Sequence, residues 1–185
     1  MIVGSKNAIT YKEIFPLIMA NQLWTGVTGF TKDMYFLPPC DLDLSHKPKT
    51  ALRCIDGITY LRSPSIWFTN LDHGHRHRPL QLMTMADNLK FSRHKKIKGK
   101  KKYDKYDNYD AIEVPFTDAI PSDYKGAMGV PISFLDKYNP DQFEIIGCSY
   151  SYGEPVGYHL KNAAFGVSVK NKDIYKRIFI KHKGI

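Results

Sequence analysis

Apolar positions along the chain fall into short runs of four to eight residues, broken by Pro, Gly, Asn and Asp. Such spacing favours strands over long helices. Residues 1–5 (Met-Ile-Val-Gly-Ser) predict a short buried strand, followed by a turn over Asn7–Thr10. Thr10 stands three residues before Glu13, the spacing of a capping box. Ile14, Leu17 and Ile18 then define the apolar face of a helix running to about Asn21, which Pro16 must kink or shorten. Residues 22–27 predict a second strand, with Leu23, Trp24 and Val27 as core candidates.

Pro38-Pro39 and Lys47-Pro48 mark a surface loop. Ile58–Arg62 and Ile66–Asn70, separated by Ser63-Pro64-Ser65, are rich in β-branched and aromatic residues and predict two strands. The order strand, helix, strand, loop, strand is that of the tail end of a layered α/β domain. A chain that opens inside a strand reads as part of a larger sheet, with one edge left for pairing. Further on, Ala111–Phe116, Phe143–Gly147, Phe165–Val169 and Ile174–Ile180 predict strands. Gly126–Pro131 predicts a compact turn, Ile132–Tyr138 a short apolar element and Ser149–Asn162 a loop. Around Ile174–Ile180 neither parity is cleanly apolar, so that strand does not read as two-faced.

Composition narrows the function classes. The 24 Phe, Tyr and Trp residues supply a real core in a chain of 185. No run approaches the ~18 apolar residues of a membrane span, and the mean hydropathy is −0.37. The start lacks a charged-then-apolar leader, and Cys40, Cys54 and Cys148 form no Cys-x-x-Cys pair. Reduced thiols and a cytoplasmic location are therefore expected, with no structural zinc. The charge is unevenly placed. Residues 74–105 hold eleven Lys or Arg against Asp87 and Asp104, which equals the whole net charge of +9. A local cationic field in an otherwise neutral chain marks a surface for a polyanion. The bland alternative is a solvated basic loop.

Eleven residues carry that field: Arg76, Arg78, Lys90, Arg93, Lys95, Lys96, Lys98, Lys100, Lys101, Lys102 and Lys105. Lysines at this density position a protein on phosphates and rarely read bases. Gly99, in their midst, predicts a mobile loop that orders on DNA. Asn88, Asn108, Arg93 and Gln81 have the chemistry for base edges, set against surface or capping roles. Tyr103, Tyr106 and Tyr109 recur three apart in Tyr-Asp-Lys-Tyr-Asp-Asn-Tyr-Asp. Packing of that loop onto a sheet is preferred to stacking on bases. His73, His75 and His77 alternate and would share one face of a strand, but Arg76 and Arg78 would repel a cation, so no metal site is assigned.

Four segments carry a family likeness. Asn7–Ile18, Ile66–Asp72 (Ile-Trp-Phe-Thr-Asn-Leu-Asp), Lys105–Ile112 and the nineteen residues Gly129–Gly147 resemble, in the same order, the EcoRI-type adenine-specific DNA methyltransferases. The resemblance spans about residues 2 to 183. It implies a Rossmann-like α/β fold and methylation of adenine N6 in double-stranded DNA, with S-adenosylmethionine as donor. In that family a glycine-bearing loop holds the donor. An Asn/Asp/Ser-Pro-Pro-aromatic tetrad accepts the adenine amino hydrogens and stacks on the flipped base.

The chain has neither element in recognisable form. Leu37-Pro-Pro-Cys40 has leucine and cysteine where the tetrad needs a polar acceptor and a ring, Asn139-Pro140-Asp141-Gln142 has one proline, and Gly26-Val-Thr-Gly29 is too short for the donor loop. The resemblance therefore implies the carboxy-terminal part of a Rossmann-like methyltransferase sheet with an inserted or appended DNA-recognition region. Residues 1–72 would belong to the methyltransferase core, 73–164 to DNA recognition, and 165–185 to terminal strands returning to the core. No catalytic residue is assigned. Asn7, at the carboxyl end of the first strand, is the one candidate for a donor contact, beside its plainer reading as a turn residue. The expected partners are duplex DNA, contacted by the eleven cations and Asn108, and an amino-terminal methyltransferase half on a separate chain. The alternative is a DNA-binding module without enzymatic activity.

Overall fold

A computed structural model describes residues 1–30, 32–149 and 166–184. Strands β1 (Ile2–Ser5), β2 (Trp24–Thr25) and β6 (Ser65–Thr69) form an antiparallel sheet in the order β1-β6-β2. Strand β6 is central, and Ile66 and Phe68 point from it into the core. Strand β1 lies at the edge. The predicted burial of this strand is not observed: Met1, Ile2 and Val3 are all exposed, because β1 pairs on one side and its outer face has no cover among the described residues. Val27, predicted as core, is also exposed, while Thr25 is buried.

The first helix differs in a way that Thr10 explains. Residues Lys6–Thr10 form a 3-10 turn whose N-cap is Ser5; its hydroxyl accepts from the Asn7 N–H at 3.3 Å. Thr10 is fully buried and its hydroxyl donates to the Asn7 carbonyl at 3.0 Å, so it caps nothing. The α-helix is confined to α1 (Phe15–Met19), with Pro16 in its first turn, where a missing N–H costs nothing. One and a half turns cannot persist alone. Burial of Phe15 and Ile18 in the core holds α1 in place.

A second antiparallel sheet, β3-β5-β4, comprises β3 (Met34–Phe36), β4 (Leu52–Ile55) and β5 (Ile58–Ser63). Asp56 and Gly57 join β4 to β5 as a two-residue turn with φ of 50° and 78°. That geometry matches the twist of the strands and favours Asp-Gly. The sheet is largely exposed and is tied to the rest through Asp33, which receives Arg62 Nε at 2.5 Å and Lys6 Nζ at 3.3 Å. The Arg62 hydrogen bond, foremost, holds the Asp33 carboxyl below its ordinary range.

The largest sheet is mixed, in the order β7-β8-β12-β9, from β7 (Ile112–Glu113), β8 (Met128–Pro131), β9 (Phe143–Cys148) and β12 (Arg177–His182). Only β7 and β8 run parallel. The predicted turn at Gly126–Pro131 thus contains a strand, since Met128, Gly129 and Val130 are buried against β12. Strand β12 lies between β8 and β9 with Ile178, Phe179 and Ile180 all fully buried. Ile178 and Ile180 face the main core with Phe134 and Phe143, whereas Phe179 faces a smaller cluster with Tyr106, Tyr109 and Val167. Burial on both faces explains why this segment does not alternate. It also means that residues 177–182 complete the sheet of the middle segment.

A hairpin, β10 (Val167–Val169) and β11 (Lys172–Ile174), packs beside this sheet. Its turn residues Lys170 and Asn171 have φ of 54° and 59° without a glycine. Asp107 compensates: its carboxylate accepts from both turn N–H groups, at 3.0 and 2.8 Å. The expected loop at Ser149–Asn162 lies, beyond Ser149, outside the described residues. The fold is therefore mixed α/β in several small sheets.

Candidate nucleic-acid interface

The basic stretch is built on α2 (Met85–Phe91) and the loop that follows it. Thr84 caps α2, its hydroxyl accepting the Asp87 N–H at 3.1 Å. The chain then turns at Ser92 and His94, with His94 stacked on Phe116 at 3.7 Å. Ile97 is buried in the main core, and the Gly99 N–H returns to the Leu89 carbonyl at 2.8 Å, with Gly99 at φ +81°. The mobile-loop expectation thus gives way to an anchored one, in which Ile97 points inward and the cations outward.

Lys90, Arg93, Lys95, Lys96, Lys98, Lys100, Lys101, Lys102 and Lys105 are exposed. Some are engaged: Arg93 pairs with Asp118 at 2.7 Å, Lys100 with Asp104, and Lys105 with Asp110 at 3.8 Å. Lys90 lies over the Phe91 ring at 4.8 Å. Lys95, Lys96, Lys98, Lys101 and Lys102 form no ion pair with a described residue, so five charges within eight residues face solvent uncompensated.

The other predicted residues sit differently. Arg78 is exposed, at the rim of a 260 Å³ cleft with His75 and Asp118. Arg76 is 7% exposed; its guanidinium lies 3.5 Å above the Trp24 ring and bonds to Asp72 and Asn21. Asn108 donates to the Gly166 carbonyl at 3.0 Å and accepts from the Ser168 N–H at 3.3 Å, which fastens β10. Asn88 is fully buried and donates to the Met83 carbonyl, while Gln81 is exposed. The three tyrosines are buried: Tyr103 donates to the Ala119 carbonyl at 2.7 Å, Tyr106 to Glu113, and Tyr109 stacks on Phe179 at 4.4 Å. Packing is their observed role.

His73, His75 and His77 lie on and beside a 3-10 turn (Gly74–His77), so they do not share a strand face. His73 Nε2 contacts the Thr25 carbonyl at 3.1 Å. His77 Nε2 lies 2.8 Å from Asp72, whose hydrogen bond, foremost, raises the His77 pKa. Asn7 is exposed at the end of β1 and lines neither that 260 Å³ cleft nor a second one of about 530 Å³.

Asp136 connects this region to the first sheet. One oxygen accepts the Phe30 N–H at 2.5 Å; the other is buried without a partner among the described residues. Burial raises its pKa. A raised carboxyl pKa contributes stability that is complete below the unfolded value near 3.8 and is lost as pH rises through the folded value. Asp136→Asn keeps an acceptor for Phe30 and removes the charge. Its stability relative to the parent should therefore rise between pH 3 and 7 in denaturant titrations; a margin independent of pH would refute this account.

A cleft of about 530 Å³ joins the lysine loop to residues some seventy positions later. Lys96 and Lys100 of the loop line it together with Lys170, Lys172 and Arg177. Sequence reasoning missed this second group because its excess charge is diluted in a whole-chain count. A local signal exists, since residues 170–183 hold six Lys or Arg against Asp173 alone. Among the lining residues Arg177 grips Glu113 through Nε at 3.1 Å and Nη2 at 2.6 Å.

Fold and surface together define a mixed α/β protein whose loop over residues 95–102 carries a dense run of exposed lysines. The family model "Adenine-specific methyltransferase EcoRI" matches residues 1–183. The chain belongs to that family of EcoRI-type adenine-specific methyltransferases. It is 38% identical over 99% of its length to the type II methyltransferase M.EcoRI of Escherichia coli, covering 50% of that protein. It is 35% identical over 80% of its length to M.MgeORF184P of Mycoplasma genitalium and to M.MpnI of Mycoplasma pneumoniae, covering 44% and 43% of them. The chain thus spans about half the length of the curated relatives it matches. No solved structure matches it. Among the described residues no helix is long and apolar enough to cross a membrane.

Proposed function

We propose that these residues are the DNA-gripping part of a type II adenine-N6 DNA methyltransferase of the restriction–modification class. Family membership supports the reaction. The single observation that carries the DNA role is the run Lys95, Lys96, Lys98, Lys101 and Lys102, exposed and without carboxylate partners among the described residues. Phosphates meeting these lysines displace condensed counterions, which supplies affinity without sequence reading. Arg78, Lys90, Arg93, Lys100 and Lys105 extend the contact. Arg76 and Asn108, engaged within the chain, hold the first sheet and the β10 hairpin in position for it.

In this reading β1, α1, β2 and β6 belong to the carboxy-terminal part of a Rossmann-like methyltransferase core, and Asn7 touches the donor only at its margin. S-adenosylmethionine supplies the methyl group when bound. Its glycine loop and the Pro-Pro tetrad are not recognisable in these 185 residues, so in this reading that chemistry belongs to residues outside them. The missing motifs equally favour a DNA-binding module without activity as the second reading.

The test uses the purified chain with duplex DNA and labelled S-adenosylmethionine. Binding should fall steeply between 50 and 200 mM salt, with no label transferred to DNA. Methylation by the chain alone would show that the reactive centre lies within it. Binding insensitive to salt would remove the phosphate-gripping role. Addition of a family amino-terminal half separates the two readings, since only a methyltransferase part restores transfer.

A further inference from the structure

We infer that a single buried water bridges Arg76, His73 and Asp136 and ties the first sheet to the main core. The inference goes beyond the DNA-binding reading and does not depend on it. Arg76 Nε, His73 Nδ1 and Asp136 Oδ1 are buried and reach no hydrogen-bond partner among the described residues. All three residues line one cavity of about 10 Å³, which they share with Trp24, Thr25 and Tyr138. A buried polar atom that loses its hydration and gains no partner weakens the fold, so such atoms pair with protein or with ordered water. A cavity of about 10 Å³ admits roughly one water.

Neighbouring contacts hold each of the three groups in place. The Arg76 guanidinium lies 3.5 Å above the Trp24 ring, and its two terminal nitrogens donate to Asp72 and Asn21. Its Nε–H is thereby fixed. His73 is oriented by the Thr25 carbonyl, 3.1 Å from its Nε2. The other oxygen of Asp136 accepts the Phe30 N–H at 2.5 Å, and a side chain at Gly29 would come within 3.2 Å of it. Phe134 and Leu135, next to Asp136 in the 3-10 segment Ile132–Lys137, are buried. The Thr25 hydroxyl also donates to the Leu135 carbonyl at 3.3 Å. Asp136 therefore cannot swing away to solvent without disturbing the core.

The chemistry of the three atoms names the occupant. Arg76 Nε–H can only donate, and the Asp136 carboxylate accepts. The Thr25 carbonyl is an acceptor, so His73 Nε2 donates to it and the neutral ring presents Nδ1 as an acceptor. The occupant must accept one hydrogen bond and donate two. Water does both. A metal cation or ammonium cannot accept from Arg76, and a halide cannot donate to Asp136. Three bonds is also the usual number for a buried water. Through this bridge Arg76 and Asp136 form a water-mediated ion pair between the Gly74–His77 turn and Ile132–Lys137.

A high-resolution crystal structure of the full chain tests this directly. One ordered oxygen is expected within ~2.7–3.2 Å of all three atoms. In solution the Arg76 Nε–H should give water cross-peaks of opposite sign in laboratory-frame and rotating-frame NMR spectra. A long-lived water produces that pattern, whereas proton exchange gives the same sign in both. His73→Ala and Asp136→Ala, combined in a double-mutant cycle by urea unfolding, should be coupled by about threefold or more in the folding equilibrium. Where a variant fails to fold, the parent's density and its NMR spectra decide. Density without a shared oxygen, a direct contact between Arg76 and Asp136, or exchange-type cross-peaks alone would overturn the inference. Additive effects of the two substitutions would do the same. No readout involves DNA, so the outcome is separate from that of the proposed function.

Discussion

Replacing Lys95, Lys96, Lys98, Lys101 and Lys102 together with alanine is expected to remove most of the chain's grip on duplex DNA while leaving its fold intact. All five project from an anchored loop and contribute no ion pair to the described structure. Their removal therefore costs the native state little. Each lysine that neutralises a phosphate contributes ~0.9 to the slope of log K against log salt, so five contribute about 4.5. At 0.1 M salt, taken relative to 1 M, that corresponds to an affinity loss of about 4.5 orders of magnitude. The loss should be uniform across DNA sequences, because lysines of this kind position rather than read. Binding isotherms of both proteins over a salt series give the slopes directly. An unchanged slope would place the DNA elsewhere on the molecule. Arg93→Ala, with Asp118 already beside it at 2.7 Å, should change the slope much less than any one of the five.

Arg177→Ala should be the most destabilising single change among the residues that line the cleft. The Arg177 and Glu113 side chains are 13% and 9% exposed and meet through a two-pronged pair. Tyr106 donates its hydroxyl to the same carboxylate. Burial, foremost, and the Glu113 charge hold that phenol far above its ordinary range, so it stays a donor at any physiological pH. Removing the guanidinium strands a carboxylate among Tyr106, Gly129 and β12, at a cost of about 3–5 kcal/mol. Replacing Arg177 and Glu113 together by apolar residues of similar volume should cost far less, since no buried charge is then left alone. Urea unfolding of the two variants separates these outcomes. A loss below ~1 kcal/mol in Arg177→Ala would mean that the pair is effectively solvated.

Several elements could be read from local sequence. The apolar, β-branched runs around Ile66 and Phe143 predicted β6 and β9 close to where they lie, whereas the single strand expected over Ile174–Ile180 is divided between the end of β11 and β12. Asp56-Gly57 has the turn chemistry of the β4–β5 hairpin, although no strand is predicted over Leu52–Ile55. Other features misled for a reason. Thr10 and Glu13 have capping-box spacing, but Ser5 sits one turn earlier and captures the first N–H. Gly129 reads as a turn residue, yet it lies in β8 because the Tyr106 ring closes over it, leaving no space for a side chain.

The candidate interface divides along the same line. Charge density in residues 74–105 is a property of composition, so the sequence located the cationic face. Arg76 and Lys95 are alike as letters. One lies against Trp24 with its charge matched, the other stands in water, and only the partners supplied by distant segments distinguish them.

By itself the sequence determined the family, the short β elements and the excess of positive charge, because each depends on residues adjacent along the chain. The tertiary structure alone decided which cations remain unpaired, and it brought Lys172 and Arg177 into the same cleft as Lys96. Pairing and cleft formation depend on distance in space, over a few ångströms, between groups that the chain separates by many residues. That distance is fixed only when β12 inserts between β8 and β9.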